Sequence, residues 1–148
     1  RGANVQDTCV IHGFPDDDTV VEENGHIGHG AVLHGCLVRH DALVGMNAVV
    51  MDEAEIGAAS IVAACAFVPA GMKVPPRSLA AGMPAKVKRE LTDAEVAWKL
   101  EGTLTYQDLT RRCLATLQEV SPLAAIEADR PRVKTVEVKS LIETRRGS

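Results

Sequence analysis

A six-residue repeat is the sequence feature that most constrains what this chain can fold into. Between residues 5 and 79 aliphatic side chains recur with a period of six, without exception from Val38 onward. Before that point an insertion separates Ile11 from Ile27, and the step from Leu33 to Val38 is one residue short. In most units a small residue lies four positions after the aliphatic one, and Gly often follows the aliphatic one directly. The aliphatic positions are Val5, Ile11, Ile27, Leu33, Val38, Val44, Val50, Ile56, Val62, Val68 and Val74.

Short-period repeats of this kind are typical of a parallel β-helix. Each hexad would form one short strand and one corner, so three hexads would close a coil of about 18 residues. The aliphatic residue would point into the prism, the small residue would fit near the corner, and coils would stack at about 4.8 Å. An α-helix does not suit this segment, because Gly and β-branched residues fill it and no 3.6-residue period is present. The sequence therefore predicts a mainly β fold.

The chain divides into three predicted parts. Residues 1–88 form the β-helix, residues 89–123 form a helical appendage, and residues 124–148 form a charged tail with an extended segment over 133–138. Residues 14–23 interrupt the repeat with a proline and a run of three Asp residues. This insertion is read as a solvated acidic loop, or alternatively as a source of a rim carboxylate near the histidines.

Two C-terminal α-helices are predicted in the appendage. Thr92 and Glu95 form a capping-box pattern that opens a helix running to about Glu101, where Gly102 is expected to break it. A second helix is expected over about residues 105–120, with an apolar face that packs on the β-helix or on a sister subunit. That face consists of Leu109, Cys113, Leu117 and Val120.

Composition and charge exclude several classes of function. The net charge of −4 offers no basic surface for nucleic acid or an anionic membrane, and no apolar run approaches the roughly 20 residues that span a bilayer. Four cysteines without C-x-x-C spacing favour buried free thiols in a reducing cytoplasm over disulfides. Because the chain opens within the repeat pattern, with neither a starting Met nor a signal peptide, we expect further N-terminal coils to precede it.

Three histidines occur at repeat phases that predict a metal site. His12 and His34 each follow an inward aliphatic residue, and they are 22 residues apart, which is one coil plus four residues that the insertion can absorb. The two should stack roughly 5 Å apart on one face, close enough to bind one ion. His29 lies one strand earlier, roughly 16 Å along the prism, so it would reach the ion only from a neighbouring subunit of a three-fold oligomer. Such a site would have three His ligands and an open position for water.

The competing interpretation is that these are ordinary surface histidines. His26 and His40 fit no such phase, and both are expected to be surface or corner residues.

Strings around these histidines resemble the γ-class carbonic anhydrase family of hexapeptide-repeat proteins. Longer strings resemble the branch of that family that contains the phenylacetic acid degradation protein PaaY and its carnitine-operon relative CaiE, and the resemblance covers about residues 2–123. The strings shared with the wider family are Asn4-Val5-Gln6-Asp7, Val10-Ile11-His12, Ile27-Gly28-His29 and Leu33-His34-Gly35-Cys36. The strings shared with the branch include Gly13-Phe14-Pro15, Leu43–Asp52 and Tyr106-Gln107-Asp108-Leu109.

The resemblance implies a left-handed β-helix and a homotrimer with three interfacial metal sites. It gives His12, His29 and His34 the ligand positions for zinc, or for another divalent metal. Gln6 takes the place of a residue that hydrogen-bonds the metal-bound hydroxide, and Asp7 the place of an interface carboxylate; the competing interpretation is that both are polar corner residues.

Two further functional residues of the family have no firm match in this chain. Its anion-binding Arg would lie upstream of Arg1, which is not its counterpart. Its proton-shuttle Glu has only candidates here, namely Glu22, Glu23 and the Asp cluster of the insertion.

The branch resemblance implies a thioesterase that hydrolyses aryl-CoA by-products of phenylacetate breakdown through a zinc-bound hydroxide. A γ-class carbonic anhydrase that hydrates CO2 to bicarbonate would use the same nucleophile, so ligand spacing does not separate the two. A hexapeptide acyltransferase with a single His base is the third candidate, and a non-catalytic trimeric scaffold is the fourth.

Overall fold

The computed structural model describes residues 1–130, so the extended segment predicted for residues 133–138 lies outside the described residues. The described residues form fourteen short strands and one helix. The strands are β1 (Asn4–Val5), β2 (Val10–His12), β3 (Val20–Val21), β4 (His26–Ile27), β5 (Val32–His34), β6 (Leu37–Val38), β7 (Leu43–Val44), β8 (Val49–Val50), β9 (Glu55–Ile56), β10 (Ile61–Val62), β11 (Phe67–Val68), β12 (Lys73–Val74), β13 (Ser78–Ala81) and β14 (Lys86–Glu90). The helix is α1 (Asp93–Thr116).

Every third strand pairs with its neighbours in parallel, which makes three sheets that form the faces of a prism. The first face has the order β1-β4-β7-β10-β13, the second β2-β5-β8-β11 and the third β3-β6-β9-β12. Strand β14 turns back and adds to the first face as an antiparallel partner of β13. This arrangement confirms the parallel β-helix predicted from the repeat.

The repeat aliphatics form the core of the prism. From Ile27 to Val74 these residues are at most 2% exposed, and burial stabilises each one by about 1.5–3 kcal/mol. Small residues such as Ala42 and Ala48 are fully buried beside them, as predicted. Val5 and Ile11 differ, with 49% and 47% exposure, because their coil is the first of the described structure and is covered by a coil on one side only.

The insertion closes on itself and leaves the register of the second face intact. The Phe14 amide donates to the Asp17 carbonyl oxygen at 3.0 Å, and the Asp17 amide donates back to Phe14 at 3.1 Å. The Thr19 hydroxyl then donates to the His12 carbonyl oxygen at 2.5 Å, which ties the end of the loop to strand β2. The loop thus absorbs the four extra residues, and His12 pairs in register with His34 one coil above.

The prediction of two C-terminal helices is wrong, because one helix runs from Asp93 to Thr116 with Gly102 inside it. The predicted capping box is present, with Thr92 and Glu95 bonding each other's backbone amides. A glycine in a helix interior costs only about 1 kcal/mol relative to Ala, and buried contacts of Lys99 and Thr103 on either side of it hold the helix on the solenoid.

The predicted apolar stripe does not pack on the solenoid. Leu109, Leu117 and Val120 are all exposed, and so is Cys113, while the face of α1 that is buried carries Glu95, Lys99 and Thr103. A polar face can be buried here because its charged groups are hydrogen-bonded. Arg89 donates twice to the Glu95 carboxylate, at 2.8 Å each, and Lys99 donates to the Asn24 carbonyl oxygen. Among residues 1–130, no helix is both long and apolar enough to cross a membrane.

All four cysteines are free, as predicted, but the prediction that they are buried fails for two of them. Cys36 is buried in the prism, Cys9 is half-buried, and Cys65 and Cys113 are exposed. Cys65 is exposed because it lies at a corner, where the backbone turns through a φ of 58°.

Candidate metal centre

The second face of the prism holds a pair of stacked histidines at its edge. His12 ends β2 and His34 ends β5, and parallel pairing sets the two residues in register. Their rings stack with centroids 4.8 Å apart and 21° between planes. His12 Nδ1 and His34 Nε2 face each other at 3.1 Å. The stacking predicted from the 22-residue spacing is therefore confirmed.

The separation of these two nitrogens fits shared coordination of one ion. Two nitrogens that each bind a tetrahedral zinc ion at about 2.0–2.1 Å lie about 3.3–3.4 Å apart. The observed 3.1 Å between His12 and His34 needs an adjustment of only a few tenths of an ångström. Imidazole nitrogen is also the ligand chemistry that zinc accepts most readily beside thiolate.

Asp52 fixes the orientation of the His34 ring. The carboxylate of Asp52 accepts a hydrogen bond from His34 Nδ1, so the unprotonated nitrogen of His34 is Nε2, whose lone pair faces His12 Nδ1. Carboxylates that hold metal-binding histidines in this way set the tautomer and raise the ligand basicity. The sequence reasoning missed Asp52, although it lies one coil of 18 residues after His34 and could have been found by extending the repeat count.

His29 lies away from the pair, as predicted. It follows β4 at the corner between the first and second faces, and its Nδ1 lies 3.3 Å from a carboxylate oxygen of Asp7. Among residues 1–130, no group of three or more His, Cys, Asp or Glu side chains is placed to hold a metal ion. A single chain therefore supplies two imidazoles at one corner and the third at another.

Gln6 connects the corner of His29 to His26 of strand β4. Its side-chain Oε1 accepts a hydrogen bond from the backbone amide of His29 at 3.1 Å, and its Nε2 lies 3.1 Å from His26 Nε2. Gln6 and Asp7 thus both contact His29, one through the backbone and one through the ring.

His26 differs from the surface residue predicted for it. Its ring is partly buried and meets the Tyr106 ring of α1 edge-on, with centroids 5.3 Å apart. Burial lowers the pKa of His26 to about 4, with smaller contributions from the positive charges of Lys99 and His29. His40, by contrast, is exposed as predicted, and its ring bonds the neighbouring Asp41 carboxylate at 2.9 Å. The sequence reasoning missed the burial of His26 because it comes from a helix 80 residues further along.

The acidic candidates for proton transfer separate into two groups. Glu22 accepts hydrogen bonds from Arg39 and from the His40 amide, both at 2.9 Å, and the Arg39 bond lowers its pKa. Glu22 and Arg39 line a cleft of about 440 Å³ on the third face, whereas the paired histidines lie on the second.

Asp17 of the insertion lies on the histidine side. A Cβ atom placed on Gly35, the residue after His34, would be 2.8 Å from an Asp17 carboxylate oxygen and 2.9 Å from one of Asp52. The Asp17 carboxylate of the insertion therefore lies at the same corner as the histidine pair.

Phe14 adds an apolar wall to the paired histidines. Its ring is 51% exposed. It meets the His34 ring edge-on, with centroids 4.8 Å apart, and approaches His12 at 6.3 Å. This corner thus combines two facing imidazoles with an exposed aromatic surface.

Comparison with known proteins identifies the class and then the family. No protein-family model matches the chain. The fold is similar to that of a Bacillus cereus protein described as an acetyltransferase candidate, with a TM-score of 0.75 and 36% identity over 77% of this chain and 66% of that one. It is also similar to a hexapeptide transferase family protein from Anaplasma phagocytophilum, with a TM-score of 0.71 and 36% identity over 75% of this chain and 65% of that one. These likenesses and the stacked coils define a hexapeptide-repeat protein with a left-handed parallel β-helix.

Sequence relatives narrow the assignment within this class. The carnitine operon protein CaiE of Salmonella agona is 56% identical over 93% of this chain and 70% of its own length. CaiE of Citrobacter koseri is 59% identical over 93% of this chain and 71% of its own length. The chain therefore belongs to the CaiE family.

Proposed function

We infer that the protein is a metal-dependent hydrolase of aryl-CoA thioesters, such as those formed in phenylacetate degradation, and that it acts as a homotrimer in the cytoplasm. His12 and His34 of one subunit and His29 of a neighbour would hold zinc or another divalent metal. The observation that carries the proposal is the in-register pair of imidazoles whose facing nitrogens lie 3.1 Å apart, with Asp52 setting the tautomer of one of them.

The metal would supply water activation, because zinc in a site with three His ligands lowers the pKa of a bound water molecule toward ~7. The chain's own residues would do the rest. Asp52 orients His34, Gln6 presents its carboxamide beside His29, and Phe14 offers its ring to the acyl group. Asp17, whose carboxylate lies close to Gly35 at this corner, would exchange a proton with solvent.

Phe14 favours a thioester with an aromatic acyl group over CO2. Aromatic rings attract one another in edge-to-face and offset geometries, at about 0.5–1.5 kcal/mol beyond the burial of their area. A molecule as small and nonaromatic as CO2 would gain little from the half-exposed phenyl ring beside His34. Carbonic anhydrase activity is therefore the second candidate, supported by the same pair of histidines.

Acetyl transfer is the third candidate, because two structurally similar proteins at 36% identity carry transferase names. A transferase that uses a single His base would not need two imidazoles in register with a carboxylate behind one of them. A non-catalytic trimeric scaffold that keeps its metal is the fourth candidate.

The test combines metal content with activity. We expect the wild-type protein to hold about one zinc per subunit and to hydrolyse hydroxyphenylacetyl-CoA, whereas His34→Ala loses both properties. His40→Ala is the matched control, because His40 is exposed and also bonded to an Asp, and it should keep both. Zinc retained by His34→Ala at the wild-type level would show that the ligand assignment is wrong.

Parallel assays separate the four candidates on one metal-loaded preparation. CO2 hydration without thioester hydrolysis would favour the carbonic anhydrase, and CoA release only in the presence of an acetyl acceptor would favour the transferase. Metal content without any of these activities would favour the scaffold. A metal-loaded protein that sediments as a monomer would rule out the cross-subunit role of His29.

A further inference from the structure

We propose that His26 is a positioning residue that fixes the orientation of the Gln6 carboxamide. The proposal rests on the proposed function, in which Gln6 faces the metal-activated water. Its structural basis is that both polar atoms of the Gln6 side chain have partners. Oε1 accepts from the His29 backbone amide, and Nε2 meets His26 Nε2, each at 3.1 Å.

The chemistry of these partners determines which atom of Gln6 points where. A backbone amide can only donate, so the atom of Gln6 that faces the His29 N–H must be the oxygen. The amide nitrogen then faces His26, and because that nitrogen can also only donate, His26 Nε2 must be the acceptor. His26 is therefore the neutral tautomer that carries its proton on Nδ1.

A rotation of the carboxamide by 180° would make both contacts repulsive. The oxygen of Gln6 would then face the lone pair of His26 Nε2, and its NH2 group would face the N–H of His29. The two contacts act together, so neither partner has to be strong for one orientation to dominate. After both bonds form, Gln6 retains one N–H and one oxygen lone pair for a further partner, in directions that His26 and His29 determine.

The C-terminal helix holds the His26 ring in place. Tyr106 of α1 meets the ring edge-on at 84°, and His26 itself is fixed in strand β4, where its amide donates to the Ala42 carbonyl oxygen at 2.9 Å. The helix is secured to the same coil by Lys99, whose ammonium donates to the Asn24 carbonyl oxygen at 2.7 Å, and by Gln107, which donates to the Asn24 side chain at 2.9 Å. The docked helix thus holds the His26 ring, and the His26 ring in turn holds the Gln6 carboxamide.

The first arm of the test is an NMR measurement that does not depend on activity. Long-range nitrogen–proton correlation spectra of the full-length, zinc-loaded protein report which imidazole nitrogen of each histidine carries the proton. We expect His26 to be protonated on Nδ1, with Nε2 at the shift of a hydrogen-bonded acceptor, and that Nε2 shift should move in Gln6→Ala. A His26 ring protonated on Nε2 would overturn the proposal.

The second arm is a double-mutant cycle on thioester hydrolysis. His26→Phe keeps the aromatic packing against Tyr106 but removes the acceptor, and we expect kcat to fall about tenfold while KM and zinc content hold. His26→Gln restores an acceptor and should recover part of that loss. In a Gln6→Ala background, His26→Phe should have little further effect, and His40→Phe serves as the control for histidine replacement at an exposed position.

The outcomes of the two arms keep this proposal distinct from the proposed function. If the protein hydrolyses no thioester in any form, the proposed function fails, and the NMR arm alone decides whether His26 orients Gln6. If His26→Phe reduces kcat equally with and without Gln6, the residue acts through general stability and the positioning role is refuted. If His26→Gln recovers none of the loss, hydrogen bonding to Gln6 is not the property that matters.

Discussion

Replacing Asp52 by Asn tests whether the paired histidines form a metal site. The substitution keeps the shape of the side chain and an acceptor oxygen, but it removes the negative charge that faces His34 Nδ1. Loss of such a carboxylate lowers the metal affinity of zinc sites by about 10–100-fold. The Asp52 and His34 side chains are 29% and 25% exposed, so solvent screens part of the interaction.

We therefore expect the lower end of this range for Asp52→Asn, about a tenfold weaker zinc affinity or about 1.4 kcal/mol. Asp52→Ala should cost more, because the His34 ring then loses its hydrogen-bond acceptor as well as the charge. Affinities are measured by competition with a chromophoric chelator, on preparations with the same oligomeric state.

Asp41→Asn is the matched control for this experiment. Asp41 accepts a hydrogen bond from the His40 ring, in the same Asp–His arrangement, but His40 is not one of the paired histidines. Its replacement should leave zinc affinity unchanged. If Asp52→Asn binds zinc as tightly as wild type, or if both substitutions weaken binding equally, Asp52 does not orient a metal ligand and the reasoning is refuted.

Two further predictions concern the substrate and the helix. Phe14→Ala should lower kcat/KM for hydroxyphenylacetyl-CoA about tenfold relative to acetyl-CoA, because about 1.4 kcal/mol of aromatic contact is lost; equal effects on both substrates would argue against acyl recognition by this ring. Burial lowers the pKa of Lys99, which is 6% exposed, to about 8. The folded state disfavours the charged form of Lys99. The contribution of Lys99 to stability is therefore fully present above its unfolded pKa of about 10.4 and is lost as the pH falls through its folded pKa of about 8. We therefore compare the free energy of unfolding of Lys99→Met with that of wild type in urea. The difference should favour the variant by about 1–3 kcal/mol more at pH 7 than at pH 10; a difference that does not change with pH would contradict this.

The parts of the structure that follow from counting residues were predictable from the sequence. Parallel pairing in a β-helix sets each residue against the one a coil away, so the stacking of His12 on His34 follows once the insertion is known to absorb four residues. The same counting reaches Asp52, 18 residues beyond His34.

The parts that depend on how α1 docks were not predictable in this way. Local propensity marks Gly102 as a helix breaker, but its cost of about 1 kcal/mol is smaller than the gain from contacts made on both sides of it, such as those of Lys99 and Gln107 with Asn24. His26 is partly buried because Tyr106, far along the chain, packs against it. The position of His26 in the six-residue repeat does not predict its contact with Tyr106.

The distribution of the histidines links metal binding to assembly in the proposed function. One chain brings His12 and His34 together at the edge of the second face, while Asp7 and Gln6 hold His29 at another corner. A metal ion that needs all three rings gains its third ligand only from a neighbouring chain, so the free energy of binding is shared with that of subunit association. Linkage is reciprocal: whatever factor the trimer adds to metal affinity, the metal adds to the stability of the trimer. The orientations that Asp52 and His26 impose are set within one subunit, so each subunit would present its part of the site already ordered. That preorganisation lowers the entropic cost of bringing the two corners together.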